Sequence, residues 1–503
     1  MLNAHSPTII FLSSIQLERE SDTPLYKQIY DALRKAILDG QLTPGVQLPA
    51  SRELATMLNI SRNTVLNAID QLIAEGYLET HVGSGTYVAA DLPEDMLHAM
   101  SLPDSTRTLS GNRDLGRTGK LYQDYAAQNN DFKLIIRNPY CMFNLDTVDL
   151  DAFPNRIWSR LVEKYTRHFP RHLQGNVLEG YKPLREAIAQ YVRTARGVHC
   201  TPEQVVVVSG SQQALYVTAQ LILDSGSPYW MENPGYNSAR YALMTSGGRC
   251  VPVPVDTYGL DVDAAIAIEP DARLAYVTPA RQFPLGYTMS LERRIKLLNW
   301  AEQTGAWIIE DDYDSEYRYD SYPVSSLQGL DTHQRVIYIG TFSKVLMPGL
   351  RLAYAILPPD IVGAFVLLRG LIDRYTALPP QAALAEFINS GQFARHIRRT
   401  RKLYGEKRDV MMSELHKHFG DRLEITGSDS GMHLVIWLPE GISEQTMQNA
   451  LHRHNLNIDG VSIFTVGEQF TRQGIIPGYT GVPIDKIPTG VQWLANAFED
   501  VMG

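Results

Sequence analysis

Residues 336–354 read VIYIGTFSKVLMPGLRLAY. An apolar run stops at Gly340-Thr341. Lys344 follows, with hydroxyls at Thr341 and Ser343 and with Arg351 seven positions further on. A lysine is ordinarily a solvated surface charge. At a strand end inside a cleft it can instead be desolvated and condense with a carbonyl as a Schiff base. The stretch therefore predicts an α/β sheet that delivers a lysine to the carboxyl end of a strand, where open sheets place their ligands.

Two further segments extend that reading. VVVVSGSQQAL (205–215) is a strand, a Ser/Gly turn and a helix whose first amides suit a phosphate. Taken alone, most such turns are plain connections. AWIIEDDYDSEYRY (306–319) sets Glu310, Asp311 and Asp312 directly after an apolar strand. Acids there bind a metal, cap a helix or pair with a cofactor's ring nitrogen, and the first two uses are the commoner. Jointly the three segments supply a phosphate cradle, a carboxylate for a pyridinium nitrogen and an amine for an aldehyde. Pyridoxal 5′-phosphate needs those partners.

The 503 residues allow more than one domain. From about residue 144 apolar strand-like runs alternate with helix-like stretches, as in an α/β domain with a mainly parallel sheet. Residues 91–143 hold Pro, Ser, Asn, Asp and Arg without periodicity and read as a linker. Residues 22–90 are dense in helix signals, and residues 1–21 form an N-terminal tail. The content of 44% apolar and 20% charged residues is that of a globular protein. No apolar run of spanning length occurs, and the N-terminus lacks signal-peptide features, so a cytoplasmic location is expected. Cys141, Cys200 and Cys250 are widely spaced, lack metal-ligand spacing and read as free thiols.

In residues 22–90, Thr23 is placed to cap a first helix with Pro24 at its first position. Leu25, Ile29, Leu33 and Ile37 form its apolar face. A short helix from about Ser51 to Leu58, the link Asn59-Ile60, and a third helix capped by Ser61 follow, which suits a helix-turn-helix. Ser61, Arg62, Asn63 and Thr64 at the start of the third helix suit phosphates and base edges. Two strands around Gly83-Ser84-Gly85 read as a hairpin wing. The net charge of −9, and five basic against seven acidic residues in 22–90, do not advertise nucleic-acid binding. Pattern alone leaves a DNA-binding domain and a protein-binding helical bundle equally open.

The segment PLYKQIYDALRKAILDGQLTPGVQLPASRELATMLNISRNTVLNAIDQLIAEGYLETHVGSGTYV (24–88) closely resembles the winged-helix domain of GntR-type regulators. In that family Arg52, Arg62, Asn63 and Thr64, with Gly83 and Gly85 of the wing, match DNA-contacting positions. From about Phe143 to Phe498 the chain resembles a fold-type I aminotransferase of the MocR type. DAFPNRIWSRL, GYKPLREAIAQYV, ENPGY, QFPLGYTMSLERR and GMHLVIWLP carry the match together with the three segments above. A GntR-type domain joined to this module is the MocR architecture. The resemblance implies that Lys344 is the Schiff-base lysine and Asp311 the partner of the pyridine nitrogen. Tyr313 matches the phenol bonded to the 3′-oxygen, and Tyr236 the aromatic stacked on the ring. Ser211, Gln212, Thr341, Ser343 and Arg351 match phosphate contacts. The two-residue gap to Tyr313 favours Asp311 among the three acids.

Departures from the pattern fall in the substrate half. Ile476 stands where related amino-acid sensors hold a carboxylate with arginine, Ser238 where some hold a second arginine, and Arg281 where histidine is frequent. Arg240 and Arg472 are the substitutes nearest in sequence. The resemblance thus implies a homodimeric, DNA-binding transcription regulator. Its effector is a small amine, an amino acid or pyridoxal phosphate itself, and the DNA-binding domains pack on partner subunits in related proteins. The alternative is a working aminotransferase with an appended DNA-binding domain. A cofactor-free scaffold is opposed by the intact set Lys344, Asp311, Tyr313 and Arg351.

Overall fold

A computed structural model describes residues 12, 15, 17–19, 21, 23–81, 84–90, 92, 115–128, 141–145, 147–167, 177–319, 325–467 and 470–502. The chain divides into two compact units, one ending at Asp114 and one starting at Leu115.

The first unit holds helices α1 (Leu25–Leu38), α2 (Ser51–Met57) and α3 (Arg62–Ala74) and the antiparallel hairpin β1 (Leu78–His81) and β2 (Gly85–Val88). Helix α1 starts one residue later than expected. Pro24 occupies the cap position with extended φ and ψ, and no side chain caps it. The Thr23 carbonyl instead accepts from the Gln28 side chain at 2.7 Å. The apolar spacing buries Ile29, Leu33 and Ile37 of α1 against Leu54 of α2 and Val65, Ile69 and Leu72 of α3. Asn59 turns the chain between α2 and α3 at a φ of 51°, which asparagine tolerates better than most residues. Ser61 then caps α3, its Oγ accepting from the Thr64 amide at 3.2 Å. Leu12 is fully buried in this core and Ile15 and Leu17 pack on it, so part of the expected tail belongs to the domain.

In the second unit the stretch expected as linker contains helix α4 (Arg117–Gln128). Leu121, Tyr122, Tyr125 and Ala126 recur on one helical face, a short amphipathic signal that the surrounding polar and Pro-containing sequence hides. Met142 pairs with Leu456, and Phe143 is fully buried.

The main sheet has eight strands in the order β3 (Val205–Val208), β10 (Ala353–Ile356), β9 (Val336–Thr341), β8 (Trp307–Asp312), β7 (Leu274–Val277), β4 (Pro228–Asn233), β5 (Arg249–Asp256), β6 (Gly259–Leu260). Its centre is parallel. β10 runs antiparallel to both neighbours, and β6 returns as a short hairpin on β5. Alternate residues feed two cores. Val205 and Val207 pack with Tyr338, Tyr354 and Ile356 on one face, and Val206 and Val208 with Ile337, Ile339 and Ala355 on the other. A second, antiparallel sheet of four strands, β11 (Ile425–Thr426), β12 (Val435–Trp437), β14 (Gly474–Ile476) and β13 (Asp459–Gly460), lies in the last hundred residues. The C-terminal helix Ile487–Met502 shares a core with it.

Candidate cofactor site and DNA-binding face

Strand β3 ends at Val208, and Ser209-Gly210 turns the chain into the helix Ser211–Ile222. Gly210 has φ 130° and ψ 161°, a region essentially reserved for glycine. A Cβ there would lie 2.8 Å from Arg351 Nη2, so the missing side chain makes room for the guanidinium. Arg351 itself ends a short 3-10 turn, Pro348–Leu350, in a left-handed conformation. Thr341 closes β9, and its Oγ1 accepts from the Ser343 amide at 3.1 Å. Phe342, Val345 and Leu346 are buried around Lys344, which fixes the loop that carries it.

Strand periodicity separates the three acids of β8. Glu310 and Asp312 share one face and are consumed there. The Glu310 carboxylate accepts from the amides of Leu327 (2.7 Å) and Gln328 (2.8 Å). Asp312 accepts from Tyr338 Oη at 2.5 Å and pairs with Arg196 at 3.1 Å. Asp311 points the opposite way and accepts from Tyr276 Oη at 2.8 Å. Burial pushes its carboxyl up to about 6, against the pull of the Tyr276 hydrogen bond and the Lys344 charge.

All nine residues expected around a cofactor line one cavity of about 470 Å³: Ser211, Gln212, Tyr236, Asp311, Tyr313, Thr341, Ser343, Lys344 and Arg351. Tyr276, Thr278, Phe283 and Pro348 line it too, and sequence reasoning had missed them. Phe283 stands edge-on to Tyr236 (5.4 Å) and to Tyr313 (5.8 Å). The cavity fits pyridoxal phosphate on its own evidence. Gln212 Nε2 is buried without a hydrogen-bond partner beside the helix start. The Gly210 gap holds a guanidinium next to the hydroxyls, which is a donor set for phosphate. A buried carboxylate and a lysine stand among the other lining residues.

The residues discussed for the substrate half are placed differently. Ile476 is fully buried and packs with Phe283, Leu285, Val435 and Phe464, with Tyr236 and Tyr313 against that cluster. Arg240 lies over Tyr241, and Arg472 pairs with Glu424 over the Trp437 ring. Arg281 is buried behind Phe283. It donates to the Gly427 and His433 carbonyls and Ser430 Oγ at 2.8–3.2 Å, and its Nε is 3.4 Å from Asp314. None of these arginines lines the cavity.

On the first unit, Arg52, Ser61, Arg62 and Thr64 line one open concavity at the start of α3. Arg62 Nε donates to Ser51 Oγ at 3.1 Å, and the side chain is exposed. Asn63 is exposed in the first turn of α3 outside that lining, and Gly85 opens β2. Gly83 lies outside the described residues. Arg19 and Asn59 also line the concavity, and sequence reasoning had left Arg19 in the tail.

Residues 25–88 match the family described as bacterial regulatory proteins, gntR family, and residues 168–482 match aminotransferase class I and II. The chain is 39% identical over 487 residues to the probable rhizopine catabolism regulatory protein MocR of Rhizobium meliloti, covering 96% of this chain and 95% of that one. It is 30% identical to the pyridoxine biosynthesis transcriptional regulator PdxR of Corynebacterium glutamicum, covering 97% and 98%. Among solved structures it resembles the α-aminoadipate aminotransferase LysN of Thermus thermophilus, complexed with N-(5′-phosphopyridoxyl)-L-leucine. The TM-score is 0.68 and the identity 27%, over 77% of this chain and 98% of that one. A winged helix-turn-helix joined to a fold-type I domain that binds pyridoxal phosphate defines a class, the pyridoxal-phosphate-dependent transcription regulators. The chain belongs to the MocR-type subfamily of the GntR regulators.

Proposed function

We propose that a small amine entering the Lys344 cavity sets the DNA affinity of this regulator. The observation that carries the reading is the gathering of Lys344, Asp311, Tyr313 and Arg351 around one cavity. Bound there, pyridoxal phosphate supplies an aldehyde that condenses with primary amines. Lys344 would hold the group covalently, and Asp311 would keep its ring nitrogen protonated. Tyr313 would donate to its phenolic oxygen, and Tyr236 would pack on the ring. Ser211, Gln212, Thr341, Ser343 and Arg351 would hold the phosphate.

Phe283 gives the cavity an apolar wall, with Ile476 packed in the cluster that contains it, and Arg281, Arg240 and Arg472 lie outside the cavity lining. In this reading the effector is an amine whose recognition does not depend on a carboxylate clamp. Transamination turnover, which needs two acids held in one geometry, is then poor. The cofactor itself as signal is the second reading, supported by the apolar wall and by the similarity to a regulator named for pyridoxine biosynthesis. Ligand and DNA affinity are linked because the ligand prefers one arrangement of the molecule.

The protein works as a homodimer in the cytoplasm in this reading. Leu367, Leu371 and Ile372, on the helix Val362–Asp373, are exposed on successive turns and suit burial against a second copy. The 22–90 domain, with Arg52, Arg62, Asn63, Thr64, Gly83 and Gly85, reads DNA from the partner's side of the dimer. The test has two stages. The visible spectrum of wild type is compared with Lys344→Ala, followed by borohydride trapping and peptide mapping. Trapping on another lysine, or no visible band, sinks the cofactor assignment. Binding to a duplex enriched from random sequence is then measured with and without cofactor and across a panel of amines. Identical DNA affinity in every condition sinks the sensing mechanism.

A further inference from the structure

Leu17, Glu18, Arg19 and Thr23 are tied to the helix-turn-helix instead of trailing from it. Leu17 packs on the domain core. The Glu18 amide donates to Gln28 Oε1 at 2.9 Å, and Gln28 Nε2 donates back to the Glu18 carbonyl at 2.9 Å. The same nitrogen reaches the Thr23 carbonyl. Between these anchors, Arg19 extends across the domain. Its Nη2 donates to the Asn59 carbonyl at 2.7 Å, forty positions along the chain and in the turn between α2 and α3. The guanidinium thereby reaches the concavity of about 800 Å³ lined by Arg52, Ser61, Arg62 and Thr64.

Among the described residues, that lining contains three arginines and no carboxylate. One Arg19 donor is spent on Asn59, one Arg62 donor on Ser51 Oγ, and a guanidinium carries five N–H groups. The rest face an exposed, concave surface at the start of the recognition helix. Planar forks of this kind suit phosphate oxygens. Three arginines gathered on one described face, in a chain of net charge −9, are the footprint of a polyanion and not of a general cation excess.

We infer that Arg19 is a DNA-backbone contact, supplied by the segment before the first helix and positioned through the Asn59 carbonyl. The inference rests on placing the DNA-binding face at Arg52 and Arg62. A phosphate contact adds affinity to every sequence and is lost with salt by counterion release.

The experiment uses full-length protein with cofactor and a labelled random-sequence duplex, by fluorescence anisotropy between 50 and 200 mM salt. Wild type, Arg19→Ala, Arg19→Lys and Arg52→Ala are compared. One phosphate contact contributes about 0.9 to the slope of log affinity against log salt for each subunit bound. The advantage of wild type over Arg19→Ala therefore shrinks about 3.5-fold per contact across that fourfold salt range. Arg19→Lys keeps the slope. A reduced slope in both alanine variants, at unchanged thermal midpoint, supports the inference. An unchanged slope in Arg19→Ala with a reduced one in Arg52→Ala overturns it and leaves the DNA face standing. The same holds if Arg19→Ala lowers the midpoint and not the slope, because Arg19 would then only brace the turn. Unchanged slopes in both variants remove the placement of the face itself, and the inference with it.

Discussion

Gly210→Ala separates the backbone of the cofactor site from its chemistry. The residue has φ 130° and ψ 161°. Holding a non-glycine residue there costs about 1–3 kcal/mol of fold stability. The added Cβ would lie 2.8 Å from Arg351 Nη2, 3.1 Å from Cζ and 3.3 Å from Nη1. Those atoms are the free end of a flexible side chain, so the guanidinium yields before the backbone does. Its displacement removes charge-assisted hydrogen bonds to the phosphate, worth roughly 1.5–3 kcal/mol. At 1.36 kcal/mol per tenfold, affinity for pyridoxal phosphate falls by about 10- to 150-fold.

The assay is a spectroscopic titration of cofactor-stripped protein, with the thermal midpoint of the stripped form measured separately. The midpoint reads the backbone cost and the titration reads the displaced arginine. Arg351→Lys keeps the charge but loses the planar fork, so its loss is smaller than that of Gly210→Ala. A Gly210→Ala protein that binds cofactor within twofold of wild type would refute the reasoning, because Arg351 would then have no part in holding the phosphate.

Three further outcomes are expected. Burial raises the Asp314 carboxyl to about 7, so between pH 4 and 7 the folded protein keeps a proton that the unfolded chain has lost. Stability then falls as pH rises, by at most about 1.4 kcal/mol per unit from this group. Asp314→Asn flattens that slope in denaturation series at pH 5, 6 and 7, and parallel curves would contradict it. At pH 8, above the titration of Asp314, Arg281→Met leaves the ionised carboxylate buried without its cation and costs about 3–5 kcal/mol. The double variant with Asp314→Leu recovers part of the loss, and no recovery would show that the pair is not coupled. Ser61→Ala removes the cap of α3 and costs about 1 kcal/mol, read as a lower midpoint of the DNA-binding domain.

The parts legible in the sequence are those whose signal is local. Ser61 caps α3 because a hydroxyl three residues before an amide can reach it. Asp311 is separated from Glu310 and Asp312 by strand alternation alone, so the favoured acid is the one that faces the cavity. The illegible parts are made by distant partners. Arg281 ends on Gly427, Ser430 and His433, about 150 positions away, so no spacing rule announces whether it faces the ligand or the core. The close approach of Gly431 to that side chain, where a Cβ would meet Arg281 Nε, is equally invisible along the chain. The apolar stripe of helix α4 is only two turns long, and Leu12 gives no sign of joining the core of a domain that starts ten residues later.

Charge shows the same limit from another side. Residues 22–90 carry more acids than bases, yet the described lining of the concavity at α3 has arginines as its only charged side chains. Asp31 pairs with Lys27 within α1 at 3.3 Å. Glu75 accepts from Gln71 at 2.9 Å at the far end of α3, and Glu79 lies 3.5 Å from His81 in the wing. At physiological salt, exposed charges separated by more than about 8 Å are largely screened from one another. What an approaching phosphate meets is therefore set by the groups lining the concavity: Arg19, Arg52 and Arg62. A domain average counts Asp39 and Glu75 with the same weight as Arg62, which is why composition argued for caution about a concavity lined by three arginines.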